Sequence, residues 1–302
     1  MVDAASKQSK SVPFAPTASH SAVLQAVCKY HLLTNIQIRV ACGYKPNSLH
    51  LVQQLTKQLV DNEYLLSFPR PTISGTSQLI YALARRGRNY LKSAGVDVRD
   101  YFRPSQEQEK SYLFLAHTLA VNDVLIAASR LHKHTSSYSL SQFIHDRVLK
   151  QTPYNVMTTG GNKTEAVTVV PDAYMLFVKQ KESGKEKQIP VLLELDRSTV
   201  EQKPFRRNLR ARIQFIKTEG YKSYLETTTV MFAYAAAEGG EKRLDAMRNW
   251  ARKEMADTQE KGWLSDLFLF TCLIQPIDPV SLFLEPRWYT PFDDTPLSLL
   301  AK

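Results

Sequence analysis

Thr34 to Lys57 (TNIQIRVACGYKPNSLHLVQQLTK) is the stretch whose reading decides the fold of the first third of this chain. Thr34 and Gln37 fit a capping box. The hydroxyl can accept an orphan N–H of the first helical turn while the amide reaches back to the cap. Gly43 stands where a helix needs a residue that tolerates a left-handed backbone. The short link Tyr44-Lys45-Pro46-Asn47 follows, and from about Ser48 to Asn62 the apolar Val52, Leu55 and Leu59 recur on one helical stripe. Two helices joined by so tight a link predict a helix-turn-helix.

Working outward, Ser21 to His31 reads as an earlier helix, with Val23, Val27 and Tyr30 on one side. After the second helix of the pair, Tyr64 to Phe68 and Leu79 to Leu83 are strand-like. Between them lies the turn-rich tip Pro69 to Ser77. Arg85-Arg86-Gly87-Arg88-Asn89-Tyr90-Leu91 opens a closing helix. The order of helix, helix-turn-helix, hairpin and helix resembles the winged-helix class, with the hairpin as wing. The expectation for residues 20–105 is therefore an α+β winged helix-turn-helix domain. Residues 1–19, rich in Ser, Ala and Pro, read as a disordered tail without the apolar core of a signal peptide.

The net charge of +10 is unevenly spread. Residues 1–105 carry 13 Lys/Arg and 5 Asp/Glu, hence +8; the rest carry 26 and 24, hence +2. A compact basic domain is the electrostatic footprint of a polyanion binder. The three cysteines, Cys28, Cys42 and Cys272, form no CxxC pair, which argues against a zinc ribbon or a disulfide framework. No apolar run reads as a membrane span, and the expected location is the cytoplasm.

On a winged helix the second helix of the pair enters the major groove, N-terminal residues deepest. Lys45, Asn47, Ser48, His50, Gln53, Gln54 and Lys57 are expected outward, where amides and cations can read base edges. Arg70 on the wing is expected to reach a minor groove or a phosphate. Arg85, Arg86 and Arg88 are expected to hold phosphates.

Residues 106–111 read as a polar linker, 112–275 as a second domain and 276–302 as a C-terminal extension. Tyr112 to His132 is a long apolar helix that carries His117, Asn122 and Asp123. Three polar groups in so apolar a helix need partners or a site. Strands are expected over Ser139 to Leu149, Val167 to Val178, Ile189 to Asp196, Thr228 to Ala235 and Asp266 to Leu273. Helices are expected over about Lys203 to Lys222 and Lys242 to Met255. This order predicts an α/β domain with a mixed sheet.

Two of these strands carry acids: VVPDAYMLFV with Asp172, and IPVLLELD with Glu194 and Asp196. Residues i and i+2 of a strand share a face, so Glu194 and Asp196 point the same way, and Asp172 can join them across the sheet. Three converging carboxylates suit Mg²⁺ or Mn²⁺, which could activate water against a phosphodiester. The arrangement resembles the PD-(D/E)xK nuclease superfamily, with Asp196 standing where the catalytic lysine belongs. Lys203, or Arg206 or Arg207, is the candidate substitute from the following helix. More specifically, HTLAVND (His117 to Asp123), PDA (Pro171 to Ala173) and ELDRST (Glu194 to Thr199), in that order, resemble the bacterial replication-relaxation family. That resemblance implies a winged helix joined to a nuclease-like domain, and work on plasmids or other mobile genetic elements. An E-x-D in place of E-x-K leaves nuclease activity open.

The resulting expectation is a DNA-binding accessory or regulatory protein of a mobile element. It would bind duplex DNA through the winged helix, with Arg206, Arg207, Arg210 and Arg212 adding a second basic surface. Homodimerisation and contacts with other proteins of a mobile-element complex are compatible with it. The alternatives are a metal-dependent endonuclease or nickase and a protein-binding adaptor; the charge concentrated in residues 1–105 argues against the last. The sequence contains no GxxxxGK[ST] loop, GxSxG elbow or HExxH motif, so those chemistries have no support.

Overall fold

A computed structural model of the chain describes residues 14–69, 78–98, 112–160, 163–180, 184–257, 259 and 262–301. They fall into two compact units that divide between Leu115 and Ala116.

In the first unit, helices α1 (Ala18–Tyr30), α2 (Asn35–Ala41), α3 (Leu49–Asp61) and α4 (Arg85–Ser93) accompany strands β1 (Leu33–Thr34), β2 (Leu65–Pro69) and β3 (Leu79–Leu83). The strands form an antiparallel sheet in the order β1-β3-β2. The Thr34 side chain accepts from the Gln37 N–H at 3.3 Å, and Gln37 Oε1 accepts from the Thr34 N–H at 3.1 Å. Gly43 follows the helix at φ 75°. Val23, Leu24, Val27, Ile38, Val52, Leu59 and Ile80 are fully buried and knit the three helices to the hairpin. Gly87 is required by close packing: a Cβ there would lie 2.2 Å from the Tyr64 carbonyl oxygen. Helix α1 begins before the expected boundary, because Phe14 packs on His20 and Tyr64 and ties down the preceding segment. The expected tail over 1–13, the wing tip with Arg70, and the linker at 106–111 lie outside the described residues.

The second unit is built on a mixed five-stranded sheet. Its strands are β4 (Tyr138–His145), β7 (Ala173–Gln180), β8 (Glu186–Asp196), β9 (Met231–Ala236) and β10 (Phe268–Cys272), in the order β10-β9-β8-β7-β4. The β8, β9 and β10 pairings are parallel; β7 runs antiparallel to both β8 and β4. A separate antiparallel ribbon joins β5 (Tyr154–Gly160) to β6 (Lys163–Val169). The helices are α5 (Tyr112–Arg130), α6 (Asp146–Leu149), α7 (Gln202–Lys217), α8 (Gly220–Leu225), α9 (Gly240–Asp257) and α10 (Pro279–Phe283). One face of the sheet, with Tyr174, Leu192, Phe232, Tyr234 and Phe268, shares a core with Leu209, Ile213 and Phe215 of α7 and with Met247 and Ala251 of α9. The other face is buried too, at Met175, Phe177, Val191, Leu193 and Leu269, and Phe283 of α10 meets Phe177 there at 5.2 Å. Burial on both sides explains why these strands read as continuous apolar runs rather than alternating ones.

Several expected elements are redrawn. The run from Val167 to Val178 is two strands, because Pro171 lacks the N–H a ladder needs and restricts the residue before it. The first half joins the ribbon and the second half the sheet. Ser139 to Leu149 is a strand followed by the single turn of α6, and the basic helix ends at Lys217, before Glu219 at φ 53°. Pro190 sits within β8 but is paired only with β7, since the β9 pairing begins at Val191; the missing donor therefore costs no ladder bond on that side. The C-terminal extension folds back on the core: Trp288 is buried and donates to the Leu282 carbonyl at 2.7 Å, and Tyr289 bridges to Phe270. Residues Leu113–Lys133 are, by length and composition, long and apolar enough to cross a membrane, which corrects the expectation that no run is. Leu115, Leu119, Val121, Val124, Leu125 and Ile126 are nonetheless buried within the protein, as in a core helix.

Candidate functional site

Two surfaces carry the expected residues, one in each unit. In the first, α3 turns Val52, Leu55, Thr56 and Leu59 inward. This leaves Lys45, Asn47, His50, Gln53, Gln54 and Lys57 exposed, with Ser48 half-buried. The helix is held rigidly from behind. The Thr56 hydroxyl donates to Asn35 Oδ1 at 3.0 Å, and the Asn35 amide donates to the Tyr81 hydroxyl at 3.0 Å, tying α3 to α2 and the hairpin. On the exposed side the Gln54 amide donates to His50 Nε2 at 3.0 Å, and Lys57 pairs with Asp61 at 2.6 Å. Arg85 and Arg86 are exposed and Arg88 is half-buried. Arg86 also has an anchoring role that its sequence position did not announce. It lies 4.6 Å over the Tyr64 ring and donates to the Asn62 carbonyl at 3.2 Å, closing the end of α3.

In the second unit the β7–β8 register places Asp172 beside Glu194 at one end of the sheet, because Ala173 pairs with Leu193. One Asp172 oxygen accepts the Leu195 N–H at 2.7 Å, and the other is 2.9 Å from His117 Nε2 on α5. Glu194 accepts from Arg212 of α7 at 2.8 Å. Asp196 takes a two-pronged contact from Arg243 of α9, at 2.7 and 2.8 Å, and also accepts the Ser198 N–H at 2.6 Å. Both arginines come from the helices that cover one sheet face, as the i, i+2 spacing of Glu194 and Asp196 requires. Nearby, His145 meets Asn122 at 2.8 Å and Asp146 at 3.2 Å, so Asn122 has its buried partner.

The electrostatics follow from this pairing. Burial raises the Glu194 carboxyl to about 7, against the pull of Arg212 and with a smaller push from Asp172. Burial, the largest single influence, lowers His117, but the bond to Asp172 together with the charges of Asp172 and Asp146 outweighs it and the net shift is upward. Burial would raise Asp146, yet bonds from His145 and Lys150 hold it well below the usual carboxylate range. The Tyr234 hydroxyl, buried beside Glu194 and Arg212, is shifted upward by burial and has no hydrogen-bond partner among the described residues.

Asp172, Glu194 and Asp196, expected to converge on one cation, each have a polar partner of their own in this geometry. The partner of each carboxylate is brought in by a different helix: His117 by α5, Arg212 by α7 and Arg243 by α9. Among the described residues no group of three or more His, Cys, Asp or Glu side chains is placed to hold a metal ion. As arranged, the three acids do not fit Mg²⁺ or Mn²⁺. The cation that meets Glu194 is Arg212, about two and a half turns beyond Lys203 on the same helix. Lys203 itself is exposed in the first turn of α7.

The second basic surface is also largely neutralised. Arg206 and Arg210 converge on the fully buried Glu254, at 2.9 and 2.6 Å, and Arg206 also reaches Asp257. Arg207 forms a two-pronged pair with Glu165 of β6 at 2.6 and 3.0 Å. Arg206, Arg207, Arg210 and Glu165, with Lys203 and Gly160, line an open cleft of about 860 Å³ between α7 and the β5–β6 ribbon. Sequence reading showed the run of arginines but not the acids from distant segments that occupy them.

A family model described as Replication-relaxation matches residues 24–231. No curated protein and no solved structure matches the chain.

Proposed function

The chain belongs to the replication-relaxation family, and from that premise we propose that it is a DNA-binding accessory protein acting on a plasmid or other mobile element. The family suggests a role in replication or relaxation of such DNA. In this reading residues 20–105 are a winged helix that docks α3 in the major groove. The observation that carries it is the rigidly backed, polar outer face of α3, in a segment with 13 cations against 5 acids. Amide and basic side chains on such a face suit base edges, and the surrounding charge suits phosphates.

The second unit serves, in this reading, as a nuclease-like scaffold of PD-(D/E)xK type retired from metal chemistry. Its support is the pairing of Asp172, Glu194 and Asp196 with His117, Arg212 and Arg243. Where a catalytic metal would need free carboxylates, a guanidinium or imidazole already sits.

One gel tests both halves. The full chain is incubated with short duplexes and supercoiled plasmid, with Mg²⁺, with Mn²⁺ or with EDTA. The expected result is a mobility shift, weakening steeply with salt, and intact DNA in every lane. Metal-dependent cleavage that is lost in Asp172→Ala would replace this reading with an active nuclease. Absence of any shift would leave a protein-binding adaptor.

A further inference from the structure

The outer face of α3 is not uniformly polar. Leu51 is 43% exposed and makes no contribution to the core that Val52, Leu55 and Leu59 already fill. At 100° per residue it lies beside Gln54 on the same flank. Gln54 is itself not free to rotate. Its amide nitrogen donates one hydrogen to His50 Nε2 at 3.0 Å, one turn back. The second amide hydrogen and the oxygen Oε1 take no part in that bond.

An amide presenting N–H and C=O side by side is complementary to adenine N7 and N6–H₂ in the major groove, and an apolar side chain beside it suits the 5-methyl of thymine. Guanine offers two acceptors there, which an amide meets with only one donor in register. We propose that α3 reads an A·T-containing step, with Gln54 on adenine, Leu51 on a neighbouring thymine methyl, and His50 as the positioning residue that fixes the Gln54 amide. This rests on the DNA-binding reading above and adds the base class it recognises.

The test starts from a randomised duplex pool, selected on the full wild-type chain. Affinity for the selected duplex is then measured after replacing each thymine with uracil, which lacks the methyl, or each adenine with 7-deaza-adenine, which lacks N7. The expected result at one step is a loss of about fourfold for the missing methyl and of about tenfold for the missing N7. Leu51→Ala should bind the thymine and uracil duplexes equally, and Gln54→Ala should ignore the 7-deaza change. His50→Ala should shrink the adenine effect and His50→Gln, which restores an acceptor, should recover it. Because all three side chains are exposed, thermal unfolding should be unchanged in each variant. If the wild-type chain tolerates both modifications at every position, the base assignment is overturned while DNA binding stands. If no duplex is enriched or shifted at all, DNA binding itself fails and the assignment with it.

Discussion

Arg212 is the residue on which the second unit's polar cluster turns. Its guanidinium is almost completely buried and its counter-charge is Glu194. Removing one partner of a buried pair strands the other charge, so Arg212→Met should cost about 3–5 kcal/mol in urea unfolding. A cost below about 1 kcal/mol would mean that water already screens the pair. Glu194 makes a second expectation, in pH. Burial raises its carboxyl from the ordinary 4.5 to about 7. A group that binds its proton more tightly when folded stabilises the fold fully below the unfolded value and loses that contribution as pH rises through the folded one. The wild-type Tm should therefore decline between pH 4.5 and 7. Glu194→Gln should lower Tm overall and flatten the decline; an unchanged slope would mean that Glu194 is not the group responsible. Tyr234 carries the opposite kind of expectation. Its buried hydroxyl has no partner among the described residues, and an unsatisfied buried polar group costs about 1–3 kcal/mol. Tyr234→Phe should thus be neutral or stabilising, and a clear loss of stability would reveal a bound water.

At the scale of elements, the first unit was largely legible because its signals are local. The Thr34–Gln37 box, the Gly43 stop and the Val52-Leu55-Leu59 stripe each act within a few residues, and each is found where expected. Thr34→Ala should accordingly cost about 1 kcal/mol, measured by thermal or urea unfolding. Gly87→Ala should cost more, because the backbone carbonyl of Tyr64 cannot move aside as a side chain could. In the second unit the β5–β6 ribbon escaped notice for a physical reason. Along β5, Met157 is 60% exposed while Thr158 is buried. The hydrophobic alternation that marks a half-buried strand is therefore inverted at those positions. The Val167 to Val178 run misled in the other direction. Its apolar content is continuous, and only Pro171 shows that two strands with different partners meet there.

For the whole molecule, charge decides more by placement than by sum. The arginines of α7 looked like a second basic surface, yet Glu165, Glu254 and Asp257, from β6 and α9, compensate them. The first 105 residues hold +8 of the net +10. The salt dependence of DNA binding should therefore come from that segment. Lys45→Ala or Arg85→Ala should each reduce the slope of log K against log salt by about one. Arg207→Ala, which releases only Glu165, should leave the slope unchanged; a reduction there would bring the α7 cleft into the DNA path.

By itself the sequence determined the helices and hairpin of the first unit, the outward face of α3, the apolar strands of the sheet and the position of the acids at the strand ends. Those features rest on caps, turn residues and periodicity, all of which act over a few neighbouring residues. The tertiary structure alone decided what the acids do. Asp172 meets His117 across 55 residues, Glu194 meets Arg212 across 18, and Asp196 meets Arg243 across 47. No local pattern encodes such pairings; they arise when α5, α7 and α9 are packed against one sheet, and they give each of the three acids a partner from a distant segment.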